Sequence, residues 1–141
     1  MHKKVIALRG VANVGKSITI KKVYELLTSK YTSATREDEI LSRDVRAVLT
    51  IKGLKIGIES QGDPGGRLEE SLLLFTKVGC TVIVCATRTR GQTFDAVNKL
   101  EPTYEVVWLQ QDMKSSGSEQ EATNLAMASR IVREVEKAII T

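Results

Sequence analysis

The chain has 141 residues, 42% of them hydrophobic, which is enough apolar material for the core of one domain spanning residues 1–141. Its net charge of +4 comes from dispersed Lys and Arg with few aromatic residues, so nucleic acid is a weaker expectation than a small phosphate-bearing ligand. No apolar run approaches the roughly 18 residues that span a membrane, and the apolar stretch near the N-terminus is too short for a secretory signal. The composition therefore predicts a cytoplasmic protein with no membrane partner, in which Cys80 and Cys85 are buried, reduced thiols.

The first segments alternate between strand and helix. Residues 3–9 have a continuous apolar middle, as expected for a parallel strand that is buried on both faces. Residues 16–30 place their apolar side chains on one helical face. Residues 31–44 are polar, and we expect a loop there, with at most a short helical turn.

The next segment reads as an antiparallel hairpin. Apolar residues alternate with polar or smaller ones over 45–51 and again over 54–58, and Lys52-Gly53 between them suits a two-residue turn. In this register Arg46 lies opposite Glu59.

The second half of the chain continues the alternation and ends in a long helix. Its predicted segments are a glycine-rich loop and helix (62–79), a strand (80–86), a loop (87–92), a short helix (93–100) and a strand (104–110). The apolar stripe of the last helix is formed by Leu125, Ala128, Val132, Val135 and Ile139. Cys85 and Trp108 lie inside apolar strands and are expected in the core.

Strands that alternate with helices predict an α/β fold with three α/β/α layers. We expect a parallel-dominated sheet of about five strands, with one antiparallel strand at an edge supplied by the hairpin.

The clearest functional signal is the stretch between the first strand and the first helix. It fits the pattern G-x-x-x-x-G-K-[ST] without a mismatch. The glycines let the backbone turn tightly, so that successive N–H groups bind anionic oxygens, and the start of the helix adds its positive dipole end. The predicted phosphate-binding residues are Gly10, Val11, Ala12, Asn13, Val14, Gly15, Lys16, Ser17 and Ile18. Lys16 supplies charge for the outer phosphates, and Ser17 offers a hydroxyl to Mg²⁺.

This motif is that of the P-loop, or Walker A, NTPase superfamily, and the chain resembles its small α/β members over essentially its whole length. The resemblance implies the P-loop NTPase fold and binding of ATP or GTP with magnesium. Members add an acidic residue after an apolar strand, for which Glu59 and Asp63 are the two candidates. Asp63 is preferred because it lies in a loop at the carboxyl end of a strand, whereas Glu59 has a structural alternative in the pair with Arg46.

Asp63-Pro64-Gly65-Gly66 is also similar to the D-x-x-G switch loop of GTPases, and the hairpin before it resembles theirs. However, no N/T-K-x-D guanine motif follows a later strand, so ATP is favoured over GTP.

Two arginines, Arg88 and Arg90, follow the strand 80–86 directly. If that strand flanks the first one, their loop overlooks the phosphate site, where arginine stabilises a migrating phosphoryl group. They look like the anion-binding or lid arginines of small kinases. After the last strand, Gln111 or Lys114 is a candidate for contact with the nucleotide base.

The leading functional interpretation is Mg-ATP-dependent phosphoryl transfer to an unidentified small-molecule or protein acceptor, or ATP hydrolysis, with Lys16, Asp63, Arg88 and Arg90 in catalytic roles. One alternative is a GTPase-like regulatory switch without a recognisable guanine motif. Another is a nucleotide-stabilised binding module for nucleic acid or a protein partner.

Overall fold

The structure is a computed structural model, and it describes residues 3–11, 15–41, 44–112 and 117–140. In chain order its elements are β1 (Lys4–Arg9), α1 (Lys16–Lys30), β2 (Thr35–Leu41), β3 (Asp44–Ile51), β4 (Leu54–Glu59), α2 (Leu68–Lys77), β5 (Val82–Thr87), α3 (Gln92–Asn98), β6 (Glu105–Gln110) and α4 (Gly117–Ile140). Strands and helices alternate from β4 onward, so the α/β class is confirmed.

The strands form one mixed sheet in the order β2-β3-β4-β5-β1-β6. Strands β4, β5, β1 and β6 run parallel to one another. β3 pairs antiparallel with β4, and β2 pairs antiparallel with β3 at the edge of the sheet. β1 lies between β5 and β6, and the side chains of residues 5–8 are fully buried. Each large apolar side chain among them contributes roughly 1.5–3 kcal/mol by leaving water. The strand that precedes the glycine-rich loop is therefore firmly anchored.

Helices cover both faces of this sheet. Ile6 and Leu8 of β1 point into the apolar cluster shared with α1 and α4, whereas Val5 and Ala7 point into the cluster shared with α2 and α3. This alternation reflects the two-residue period of a strand. The result is the three-layer arrangement that the sequence predicted.

The segment 31–44 was predicted as a loop, and this prediction is wrong. Residues 35–41 form the edge strand β2, which pairs with β3 in antiparallel register from Thr35↔Thr50 to Leu41↔Asp44. The side chains of residues 35–38 are exposed, so the strand has no apolar alternation to reveal it. Charged side chains on an edge strand also discourage unwanted pairing. The sheet therefore has six strands rather than about five, and β3, the one strand that runs against the others, lies inside the edge formed by β2.

The hairpin of β3 and β4 has the predicted register, with Arg46 opposite Glu59. Its turn residues Lys52 and Gly53 have φ values of 54° and 80°, as two-residue hairpin turns require.

The apolar stripe of α4 differs from prediction at one position. Leu125 is 49% exposed, and its neighbour Asn124 is buried instead, with Ala128, Val132, Val135 and Ile139 following as expected. A polar residue thus faces inward at the start of α4. In the part of the chain described here, no helix has a long enough apolar stretch to cross a bilayer.

Candidate functional site

The glycine-rich loop leaves the carboxyl end of β1 and enters α1. Gly10 N–H donates to the Thr87 carbonyl oxygen at 3.1 Å, which ties the start of the loop to β5. Gly15 is the N-cap of α1, and Lys16 and Ser17 open the first helical turn, as the motif predicts. Val11 and Ile18 are more than half exposed. Three of the predicted phosphate-binding residues, Ala12, Asn13 and Val14, lie outside the described residues.

Gly15 meets two separate requirements for glycine. Its φ is +87°, a left-handed conformation that side chains rarely adopt. A Cβ atom there would also lie only 2.7 Å from Asn124 Oδ1. The backbone at Gly15 therefore lies close against Asn124 of α4.

The Lys16 ammonium is buried, with only 8% of the residue exposed. It donates to the carbonyl oxygen of Gly10 and, at 3.2 Å, to that of Val11. Burial, together with the positive charge of Arg88, lowers the pKa of Lys16 from 10.5 to about 8, although Asp63 opposes this. Among the described residues, its hydrogen-bond acceptors are these two carbonyl oxygens, so an anionic ligand would give the desolvated cation an opposite charge to pair with.

A cleft of about 560 Å³ opens at the first turn of α1. Lys16, Ser17 and Asp63 all line it, so the structure brings together these three predicted site residues. The Ser17 hydroxyl donates to the Ser60 carbonyl oxygen at 3.1 Å. The cleft lies at the carboxyl ends of parallel strands, where open α/β sheets bind ligands.

A second carboxylate, Asp44, also lines the cleft, and sequence reasoning missed it. Its Oδ1 accepts a hydrogen bond of 2.7 Å from the Ser60 hydroxyl, which in turn accepts one from Val45 N–H. Ser60 thus connects Asp44 to the Ser17 hydroxyl. Asp44 opens β3 just after the unpredicted strand β2, so no motif marked it.

The loops at residues 61–67 and 88–92 are joined beside the cleft residue Asp63. Arg88 Nη2 pairs with Asp63 Oδ1 at 3.0 Å. The Gln92 side chain accepts from Gly65 N–H at 3.2 Å and donates to Glu69 at 3.1 Å. Among the described residues, the Arg88 Nε–H has no acceptor although it is shielded from solvent. Of the two predicted arginines, Arg88 faces the cleft residue Asp63, whereas Arg90 is exposed.

Glu59 points away from this cleft, toward α2. Its carboxylate is fully buried and pairs with Arg67 Nε at 2.8 Å, while Ser71 Oγ donates to it at 2.5 Å and Gln61 N–H at 3.0 Å. Arg46, its predicted partner, pairs with Glu70 at 3.7 Å. We therefore assign Glu59 a structural role and leave it out of the proposed metal site.

A buried polar network lies beside Gly15 and the first turn of α1. Gln111, a candidate for contact with the base, is 1% exposed and donates to Asn124 Oδ1 at 2.6 Å. Thr19 Oγ1 lies 3.0 Å from both Gln111 Oε1 and the Gly15 carbonyl oxygen. The network links α1, α4 and the end of β6, so the Gln111 amide makes hydrogen bonds inside the domain. Lys114, the other base candidate, lies outside the described residues.

Within the described ranges, no group of three or more His, Cys, Asp or Glu side chains could hold a metal ion unaided. No protein-family model matches this chain, and neither a curated protein nor a solved structure matches it. The functional proposal below is therefore based on the geometry of the cleft.

Proposed function

We propose that this protein is a P-loop NTPase that binds a nucleoside triphosphate with magnesium and transfers or hydrolyses its terminal phosphoryl group. The observation that supports this most strongly is the convergence of Lys16, Ser17 and Asp63 on one cleft, with Arg88 paired to Asp63 at 3.0 Å. ATP is the proposed nucleotide because the sequence has no guanine motif.

Each residue has a role that its position supports. Lys16, already desolvated, neutralises the outer phosphate oxygens and exchanges its two carbonyl acceptors for them. Arg88 uses its guanidinium, including the Nε–H that has no acceptor in the described structure, to stabilise charge on the migrating phosphoryl group. Asp63 and Asp44 are carboxylates that line the cleft, and in this proposal each would serve as a magnesium ligand or orient the attacking hydroxyl.

Magnesium fits the donors of this cleft, since it favours oxygen ligands and commonly keeps waters and phosphate oxygens in its shell. When bound, it withdraws negative charge from the phosphates. In this proposal the Ser17 hydroxyl and the Asp63 carboxylate hold it, with Asp44 acting on the same side through Ser60.

The first test is isothermal titration with ATP and GTP, each with and without Mg²⁺. We expect Mg-ATP to bind to the wild type and to be lost in Lys16→Ala. Lys22→Ala is the matched control, because Lys22 is on the same helix but pairs with Glu25 at 3.5 Å. Absence of binding to the wild type, or equal binding to Lys16→Ala, would remove the basis of the proposal.

Turnover measurements distinguish residues that act in the chemical step from residues that only bind the nucleotide. Removing a charge-stabilising donor typically slows the chemical step by about 10²–10³-fold, and we expect Arg88→Ala to do so. If Arg88→Ala and Arg90→Ala both retain full turnover, the assignment of an arginine to the phosphoryl group is wrong.

A regulatory switch is the second candidate, and one specific observation favours it. The D-x-x-G stretch is fastened to the opposite loop by exposed contacts, namely Asp63 with Arg88 and Gly65 with Gln92. Surface contacts of this kind contribute little and are easily exchanged for contacts with a phosphate. GTP-selective binding and slow turnover without any acceptor would support the switch over the kinase-like reaction.

A further inference from the structure

We propose that Arg9 is a positioning residue that holds the loop carrying Arg88 and Arg90 against the carboxyl end of β1. The importance of this for turnover rests on the function proposed above, whereas the holding contact itself does not. Arg9 is the last residue of β1 and immediately precedes Gly10. It does not line the cleft, so any influence on the phosphate site passes through other residues.

The Arg9 guanidinium makes two kinds of contact at once. Its Nη2 donates to the Thr89 carbonyl oxygen at 2.9 Å. Its Cζ lies 5.2 Å from the ring centre of Phe94 and 5.7 Å from that of Trp108. These two rings are themselves stacked, with centres 4.6 Å apart and planes 20° apart. A planar guanidinium can rest on aromatic rings while it donates a directed hydrogen bond, which a lysine ammonium cannot reproduce.

The acceptor of this bond is placed where it controls the arginine loop. Thr89 lies between Arg88 and Arg90, and Arg88 N–H is held in turn by Thr93 Oγ1 at 2.9 Å. The loop is thus attached to β1 and the residue after it twice, through Gly10 N–H to Thr87 and through Arg9 to Thr89. Because Arg88 extends from this turn to Asp63, a shift of the Thr89 carbonyl moves the guanidinium that pairs with this cleft residue.

Arg9 affects turnover by fixing the position of Arg88, and not by contacting the substrate. A displacement of about 1 Å in a catalytic group can cost on the order of 10²-fold in rate. Loss of Arg9 should therefore lower kcat more than it raises KM, and it should do so only while Arg88 is present.

The test uses Arg9→Ala and Arg9→Lys, each in the wild-type and the Arg88→Ala background. We expect Arg9→Ala to lower kcat about 10–100-fold, with partial recovery in Arg9→Lys, and to have little further effect once Arg88 is gone. Lys3→Ala is the matched control, since Lys3 makes a similar cation–π contact with Tyr104 at 5.6 Å on the first strand's opposite end. An equal loss in both backgrounds, or no loss in either, would overturn the proposal.

Hydrogen exchange of the peptide covering residues 87–93 separates this inference from the proposed function, because it needs no nucleotide. Faster exchange in Arg9→Ala and Arg9→Lys, but not in Lys3→Ala, supports the holding role even if the wild type binds no nucleotide. Unchanged exchange overturns it even if the wild type is an active NTPase. Phe94→Leu, which keeps Arg9 and removes one stacking ring, gives a second variant should Arg9→Ala fail to fold.

Discussion

Replacement of Gly15 by alanine tests how tightly the backbone at the start of α1 is packed against α4. At φ +87° an alanine should lower the free energy of unfolding by about 1–2 kcal/mol, because the left-handed conformation is unfavourable for residues with a Cβ atom. Its Cβ would also lie 2.7 Å from Asn124 Oδ1, an atom that accepts hydrogen bonds from Gln111 at 2.6 Å and Gln120 at 2.9 Å. Asn124 must move, which weakens two hydrogen bonds worth about 1 kcal/mol each. The expected loss of unfolding free energy is therefore about 2–4 kcal/mol.

The chain offers a matched control in Gly53, whose φ is +80° but which has no neighbouring atom within 4 Å of an added Cβ. Gly53→Ala should lose only the backbone part, about 1–2 kcal/mol. Urea unfolding followed by circular dichroism measures both losses, provided that the slope m is unchanged. Equal losses in the two variants would refute the argument that Asn124 closes the space beside Gly15.

A double variant sharpens the same test. If Asn124 is the obstacle, Gly15→Ala and Asn124→Ala should couple, and the loss in the double variant should be smaller than the sum of the two single losses by about 1 kcal/mol. Strict additivity would mean that the two residues do not contact each other.

Three further predictions concern titration, buried charge and the thiols. Because the pKa of Lys16 is about 8 in the folded protein and near 10.5 when unfolded, the unfolded chain retains the Lys16 proton between these values, and the Lys16 contribution to stability should rise with pH across this range; the change in unfolding free energy from pH 7.5 to 9.5, measured with urea, should be more positive in the wild type than in Lys16→Met. Glu59→Ala should lower stability by about 3–5 kcal/mol and leave the affinity for Mg-nucleotide unchanged in the folded fraction. Asp63→Asn should lower stability by only about 0–1 kcal/mol and weaken that affinity. The reverse pattern would indicate that Glu59, and not Asp63, binds the metal. Burial raises the pKa of Cys80 to about 11 and, with the charge of Glu59, that of Cys85 to about 12, so neither thiol should react with iodoacetamide at pH 8 until urea unfolds the chain; rapid labelling of the native protein would contradict this.

The central part of the fold could be predicted because its signals are local. Continuous apolar runs marked β1 and β5 as strands buried on both faces, and Lys52-Gly53 marked the hairpin turn. The phosphate-loop spacing then predicted where Lys16 and Ser17 would stand relative to a strand and a helix. Each of these features depends on residues within a short stretch of sequence.

The missed features depend instead on which distant residues meet. β2 is an edge strand with exposed side chains at its start, so it lacks the alternation by which strands are recognised. Glu59 could have paired with either of two arginines, and only the packing of α2 selected Arg67. Asp44 enters the cleft because the pairing of β3 with β4 brings the start of β3 beside Ser60, and it was missed because the predicted hairpin began at residue 45 and left Asp44 in the expected loop 31–44.

The central location of β1 also sets an order of local opening. β2 has β3 as its sheet neighbour and exposed side chains at its start, so its amides can exchange through fraying at little cost. β1 is flanked on both sides and fully buried at residues 5–8, so its amides exchange only when the whole domain unfolds. A ligand that binds only the native state slows global unfolding and leaves fraying unaffected. If the segment between β1 and α1 binds a nucleotide as proposed, its occupancy should therefore be measured most directly by the added protection of β1 amides, with the β2 amides at the edge of the sheet as an internal reference.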